Sequence, residues 1–506
     1  MTPNGQHEAP LRPWPALWAI CIGFFMILVD STIVTVAMPA IMEALHADIG
    51  QVVWVTSAYL LAYAVPLLIT GRLGDRVGPK KLYLLGLVVF TGSSLWCGFT
   101  GTIQGLITAR VVQGLGAALM TPQTMTVITR IFPAESRGKA MGMWGSVAGV
   151  ATLVGPLVGG LLVEHWGWEW IFYVNVPVGV IGFLAVTRLV PKLPTHATTF
   201  DWVGVALSAV GMFCIVFGIQ EGRSYDWGTI RGPVTTWGLI GVGVSVMIVF
   251  VLWQWAHPTT ALVPLQLFRE RNFSLANVAM TTIGFSVTAM TFPFMLWAQM
   301  ARGFSPARAA MLTIPMAVLN VALAPYVGRL VDRLHPRYIG AVGLTSFAVA
   351  LVWLRAVMHP QTPVWQVLLP MTLLGVANGF MWSPVSTTAT RSLPLALAGA
   401  GSGVYNTVRQ VGAVLGSAGI ATLMEARLAA HLGESAAGSS LTESAASVHL
   451  PPAVAAGFSD AMGDSLLLPA AVVTVGLIAV LCFERPASLR REVPQGEPDE
   501  RALSAS

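Results

Sequence analysis

Charge is scarce in this chain: only 10% of its 506 residues are Asp, Glu, Lys or Arg, against about a quarter in a soluble protein. That scarcity excludes a soluble globular domain. With 55% hydrophobic residues and a mean hydropathy of +0.70, only a polytopic membrane protein fits. Cysteine is rare too. The four present (Cys21, Cys97, Cys214 and Cys482) lie in apolar runs, which excludes a disulfide framework and leaves reduced packing residues. The nine histidines fall mostly in loops or near span ends without His-Glu-x-x-His or similar spacing, so no metal site is expected. Clustered catalytic groups and a sizeable soluble domain are both missing, so the chain is not expected to be an enzyme. Its net charge of +5 is dispersed over short polar loops and offers no nucleic-acid surface.

What the chain has is long apolar runs. A helix needs roughly 20 apolar residues to cross a bilayer, and fourteen candidates meet that length. They cover about residues 15–39, 51–70, 82–100, 103–129, 138–163, 171–190, 201–220, 235–256, 273–300, 306–327, 338–357, 364–390, 400–424 and 465–483. The first is too long for a signal-peptide core and contains Asp30, so it reads as a retained span with the N-terminus in the cytoplasm. Alternating from that start puts 20 of the 28 basic residues on the cytoplasmic side, as the positive-inside rule requires. The expectation is a cell-membrane (inner or plasma membrane) protein, monomeric, with both termini cytoplasmic. The Ala-, Ser- and Gly-rich stretch 425–464 reads as a flexible outer loop, and 486–506 as a disordered tail.

A short string occurs twice. Gly71-Arg72-Leu73-Gly74-Asp75-Arg76-Val77-Gly78-Pro79-Lys80 returns as Gly328-Arg329-Leu330-Val331-Asp332-Arg333-Leu334-His335-Pro336-Arg337. Each copy is a charged hinge between apolar runs. Matching halves that rock about a central site are the plan of a secondary transporter. The strings before Pro122 and Pro384 correspond in the same way, with Arg130 and Arg391 in register. This divides the chain into a six-helix bundle at 1–194, an inserted helix pair at 195–272 and a second six-helix bundle at 273–485.

An ionisable group at membrane depth is costly and is by default functional; Asp30, Arg110 and Arg409 stand out. Asp30 lies about nine residues before Pro39, roughly 14 Å below the outer surface at 1.5 Å per residue, and Arg110 roughly 12 Å below it. Similar depths allow the two to meet, although spacing alone leaves open whether they do. Burial disfavours an ionised carboxylate and a nearby guanidinium favours it, a balance suited to reversible proton binding. Asp30 is therefore expected to face a water-accessible chamber, with a structural ion pair as the bland alternative. Arg409 either lines the cavity or stabilises one conformation. Gly71, Asp75, Arg76 and Gly78, with Asp332 and Arg333, read as a conformational latch in which Asp75 meets helix amides or a basic neighbour. Gly149, Gly155, Pro156, Gly159 and Gly160 let the fifth span approach its neighbours closely and kink. Tyr59, Gln113, Gln123, Asn175, Trp297, Asn378 and Trp382 are candidates for an amphipathic central pocket.

Four segments together resemble the fourteen-span drug:proton antiporters of the major facilitator superfamily: Asp30–Pro39 in span 1, the Gly71–Lys81 loop, Arg110-Val111-Val112-Gln113-Gly114 in span 4, and Gly155-Pro156 in span 5. The resemblance covers nearly the whole chain. It implies two six-helix bundles with two inserted helices, the proton as coupling ion in place of any cofactor, and export of small molecules; the one buried carboxylate suits lipophilic cations, while the family also exports neutral and anionic antibiotics. It assigns proton coupling to Asp30 and Arg110. Exporters of lipids or endogenous metabolites, and nutrient symporters, are alternatives within the same fold. This sequence departs from the pattern at Thr35, commonly Asn, at Pro79, usually basic, at Glu169, commonly Arg, and at His335, where the second hinge would have glycine.

Overall fold

The computed structural model describes residues 13–484 except 133, 194, 196–200, 223–224, 259–260, 392–397, 433–449 and 451; the expected tail at 486–506 lies outside the described residues. Eighteen helices follow one another in the described chain: α1 Pro13–Leu45, α2 Ile49–Ala64, α3 Leu67–Val77, α4 Pro79–Phe99, α5 Ile103–Ile131, α6 Ala134–Trp166, α7 Trp170–Tyr173, α8 Asn175–Leu189, α9 Trp202–Gln220, α10 Thr236–Ala256, α11 Arg271–Leu296, α12 Pro306–Met311, α13 Ile314–Arg333, α14 Pro336–Val357, α15 Val364–Arg391, α16 Ala398–Leu432, α17 Pro452–Ser465 and α18 Leu467–Leu481. One small hairpin, β1 Thr229–Arg231 with β2 Val234–Thr235, joins α9 to α10.

Twelve stretches of described helix are long and apolar enough to cross a membrane, against the fourteen expected. Of the other two candidates, α2 is only 16 residues long before its break at Val65-Pro66, and α6 is a single 33-residue helix, Ala134–Trp166, that carries Pro156 inside it. The expected outer loop at 425–464 is corrected at its two ends, where α16 runs on to Leu432 and α17 begins at Pro452; residues 433–449 and 451 lie outside the described residues. Alanine, the best helix former, extends both.

α1, α2, α4, α5, α6 and α8 pack together, as do α11 and α13 to α18. The two groups meet where α2 crosses α16 and α6 meets α12 and α13. Ser57 and Ser417 hydroxyls lie 2.6 Å apart, and Gln299 Nε2 donates to Val36 O at 3.0 Å. A Cβ on Gly50 would lie 2.8 Å from Glu425, and one on Gly160 2.6 Å from Ala307 Cα. These contacts sit toward the end of the molecule where α1 stops and α2 starts, called the Leu45 end below. α10 lies outermost and exposes Val242, Ile248, Val251, Leu252 and Trp255, a continuous apolar face of the kind that belongs in lipid.

The first hinge is not a loop. Gly71 to Val77 are the last turns of α3, and the chain breaks only at Gly78, whose φ of +102° is open to glycine and strained for other residues. A Cβ on Gly74 would lie 1.8 Å from Gln123 Oε1, so that glycine serves close packing. The second copy likewise stays helical through Asp332 and Arg333 and turns at His335 with φ −64° and ψ 122°. Extended backbone suits any residue, so histidine can stand there; its ring Nδ1 accepts from Arg337 N at 3.2 Å. Pro79 and Pro336 open α4 and α14, where a missing N–H costs nothing. Gly78→Ala should therefore destabilise by about 1–3 kcal/mol, read as a lower Tm, whereas His335→Ala should change it by well under half of that.

Candidate functional site

The buried charges converge. Arg110 Nη1 donates to Asp30 Oδ2 at 2.5 Å, and both side chains have no exposed surface. Gln113 Nε2 donates to Asp30 Oδ1 at 2.9 Å and Asn175 Nδ2 donates to the same oxygen at 3.0 Å. Arg110 also donates to Gln113 Oε1 at 2.7 Å and, through Nε, to Val55 O at 3.2 Å. Its guanidinium lies 4.0 Å from the centre of the Tyr59 ring, a cation–π contact. Asn175 further donates to Ser94 Oγ at 3.0 Å, and Cys97 Sγ lies 3.7 Å from Gln113 Oε1.

Local geometry explains the convergence. Arg110 and Gln113 are three apart on α5 and share a face, as do Ser94 and Cys97 on α4. Asn175 is the first residue of α8, where the chain turns after α7. On the other side of α1, a Cβ on Gly155 would lie 2.0 Å from Thr32 Oγ1 and 3.2 Å from Val29 O, and one on Gly159 2.5 Å from Ile33 Cγ1. The small residues of α6 thus clamp the helix that carries Asp30. Gly149 and Pro156 lie within α6.

The placement differs from the sequence expectation in one important way. Asp30 does not face a chamber between the bundles: all its partners belong to the first bundle, and it is sealed from solvent. A paired charge in low dielectric is held best when its remaining lone pairs are hydrogen-bonded, and the two amides do that by closing over the carboxylate. Tyr59, Gln113 and Asn175, expected in a pocket, belong to this cluster. Gln123 instead donates to Thr70 O at 2.7 Å beside the first hinge. Trp297 is fully buried in a π-helical turn, Trp297–Ala301, and Asn378 accepts from Trp382 at 3.3 Å within α15. Arg409, on α16, sits within electrostatic reach of Tyr59 and Tyr63 in the first bundle and of Tyr405 in its own. The side chains of Asp75, Asp332 and Arg333 lie outside the described residues. Ser94 and Cys97 were missed by the sequence reading, which saw Cys97 as packing.

Two packed helical bundles, apolar spans and a charge pair sealed at membrane depth define a multi-pass membrane transporter. The chain belongs to the Major Facilitator Superfamily, whose family model matches residues 20–417. It is 50% identical over 493 residues to a Mycobacterium tuberculosis protein described as an uncharacterized MFS-type transporter, covering 96% of this chain and 84% of the relative. It is 34% identical over 438 residues to the tetracenomycin C resistance and export protein of Streptomyces glaucescens, covering 84% and 79%. In fold it is similar to a crystal structure of a bacterial homolog of the human lysosomal transporter Spinster, inward-facing and unoccupied, with a TM-score of 0.63, 16% identity, and 94% and 97% of the two chains covered.

Proposed function

We propose that this protein exports lipophilic, cationic compounds of several kinds across the cell membrane in exchange for protons. The observation that carries the reading is the sealed Asp30–Arg110 pair with its two amide donors. A relative named for tetracenomycin C resistance and export supports the direction. Protonating Asp30 removes the negative partner and leaves Arg110 as an uncompensated buried cation, a costly state. Arg110 stacks on Tyr59, and Arg409 of the second bundle lies within electrostatic range of the same side chain. Once Asp30 is protonated, repulsion between the freed Arg110 charge and Arg409 of the second bundle favours parting of the bundles.

In this reading α2–α3 and α6 complete a set of fourteen spans, both termini are cytoplasmic, the protein works as a monomer, and the Leu45 end faces outward. The seams at Ser57–Ser417 and Gly160–Ala307 then close the outer side, and Asp30 exchanges its proton only after helix movement opens the cluster to water. The deciding experiment is reconstitution in vesicles with an imposed pH gradient and a panel of dyes and antibiotics. Accumulation that follows the gradient supports proton exchange; uptake indifferent to pH refutes it.

Voltage separates the substrate classes. About 150 mV supplies roughly 3.5 kcal/mol per charge moved, a few hundredfold in concentration. With one proton per cycle, exchange against a monovalent cation moves no net charge. Its rate should be unchanged when the potential is collapsed with valinomycin and potassium, whereas export of a neutral compound should fall severalfold.

The seam supplies another expectation. Hydroxyls 2.6 Å apart at Ser57 and Ser417 place a cysteine pair within disulfide reach. Ser57→Cys with Ser417→Cys should cross-link on oxidation and stop transport by at least tenfold, with recovery on adding reductant. Full activity of the cross-linked protein would show that this seam does not open.

A further inference from the structure

The inserted helix α9 stands off from the first bundle and leaves an elongated cavity of about 560 Å³ against α2 and α5. Its back wall is Ala58, Leu61 and Ala62 of α2, the first two buried. Its mouth lies between α5 and α9, where Val111, Leu115 and Phe213 are exposed. The side chains facing the space are apolar, apart from the indole N–H of Trp54, which already donates to Glu221 Oε1 at 2.5 Å. That bond and the Trp54–Phe217 ring contact, centroids 5.9 Å apart, roof the cavity toward the Leu45 end.

Two features call for an occupant. Ala58 and Ala62 on α2 and Ala209 on α9 are residues of the size that lets membrane helices touch, yet these helices stand apart across the cavity. An apolar groove of this size left unfilled would forfeit dispersion contacts on its walls. The cavity is also long in one direction: its lining runs from Trp54 on α2 to Pro66 at the break after it, and from Ile107 to Leu115 on α5, roughly 12–18 Å along the helix axes at 1.5 Å per residue. Those axes are the direction in which lipid chains extend. The mouth opens sideways onto the surface that the bilayer covers.

The geometry points to a binding site for one acyl chain of a phospholipid from the leaflet at the Leu45 end, held between the inserted pair and the first bundle. A free fatty acid or a drug would meet the same walls. The lipid is favoured because the mouth is continuous with the bilayer and no spare polar group in the lining awaits a substrate's charge. A second groove of about 620 Å³, between α14 and α18 and lined by Val349, Val352 and Ala471 among others, serves as the comparison. It is the more open of the two, and is expected to hold only ordinary boundary lipid.

The test uses the full chain in vesicles of phosphatidylglycerol containing a small fraction carrying a mid-chain diazirine. After irradiation, adducts are mapped by mass spectrometry. Adducts at Ala58, Leu61 and Ala62 should exceed those at Val349 and Val352 by at least fivefold, and Ala209→Phe should reduce them severalfold while leaving the α14–α18 adducts unchanged. Should the variant fail to fold, the wild-type pattern alone decides. Adducts confined to Val242, Val251, Val349 and Val352 would overturn the proposal. So would loss of the Ala58 adduct on adding a lipophilic dye but not on adding unlabelled phospholipid, because that result marks a substrate pocket.

Discussion

Asn in place of Asp30 should reduce pH-driven efflux to that of empty vesicles. The amide keeps the size of the carboxylate and can accept from Gln113 or Asn175, but it neither binds a proton reversibly nor neutralises Arg110. Removing one member of a buried pair costs about 3–5 kcal/mol, so Asp30→Asn should also lower the Tm. That would leave lost activity open to a trivial explanation, and a second variant removes it. Asp30→Asn combined with Arg110→Gln takes away both charges and should recover most of the stability while leaving efflux uncoupled from the pH gradient. Gradient-driven efflux by the double variant at a tenth or more of the wild-type rate would refute the assignment of the proton to Asp30.

Leucine in place of Gly160 should give the other large effect. The first atom of any side chain there would lie 2.6 Å from Ala307 Cα and 2.8 Å from Pro306 O, and backbone cannot step aside as a flexible side chain can. The two bundles could then no longer close at the Leu45 end. Wedging a well-packed contact costs typically 1–3 kcal/mol, so the closed state should fall about tenfold or more relative to the open one. The expected result is a loss of at least tenfold in transport. Placed in the Ser57→Cys, Ser417→Cys background, the same substitution should prevent the cross-link from forming. Gly155→Leu would press on Thr32 within one bundle instead, and should impair stability without abolishing that cross-link. If Gly160→Leu still cross-links fully, the seam is not closed by close approach of α6 to α12.

Much of the site was legible because its members obey simple spacing. Asp30 and Arg110 were placed at similar depth by counting residues from span ends, and they meet. Gln113 could have been tied to Arg110 by its i+3 spacing rather than assigned to a separate pocket. Asn175 and Ser94 carry no local signal, because the turn between α7 and α8 and the rotation of α4 aim them at the carboxylate. Burial of Asp30 within one bundle was equally invisible: depth along a helix says nothing about the direction a residue faces. The helical backbone of Gly71–Val77 was misread as a loop because glycine and charge usually mark loops; at Gly74 the glycine makes room for Gln123, and in this hinge only Gly78 needs unusual backbone angles. The ends of the stretch 425–464, helical in α16 and α17, were misread because Ala-rich composition suits a low-complexity linker and a helix alike.

The far end of α9 touches both halves of the machine. Trp54 of α2 holds Glu221, while Thr422 of α16 donates to Ile219 O at 2.8 Å. When α2 and α16 part, a single helix end cannot travel with both, so one grip must let go in every cycle. In the proposed cycle α9 and α10 would thereby act as a spring clip across the mouth of the transporter, resisting unlatching at rest and riding with one bundle once the other has swung away.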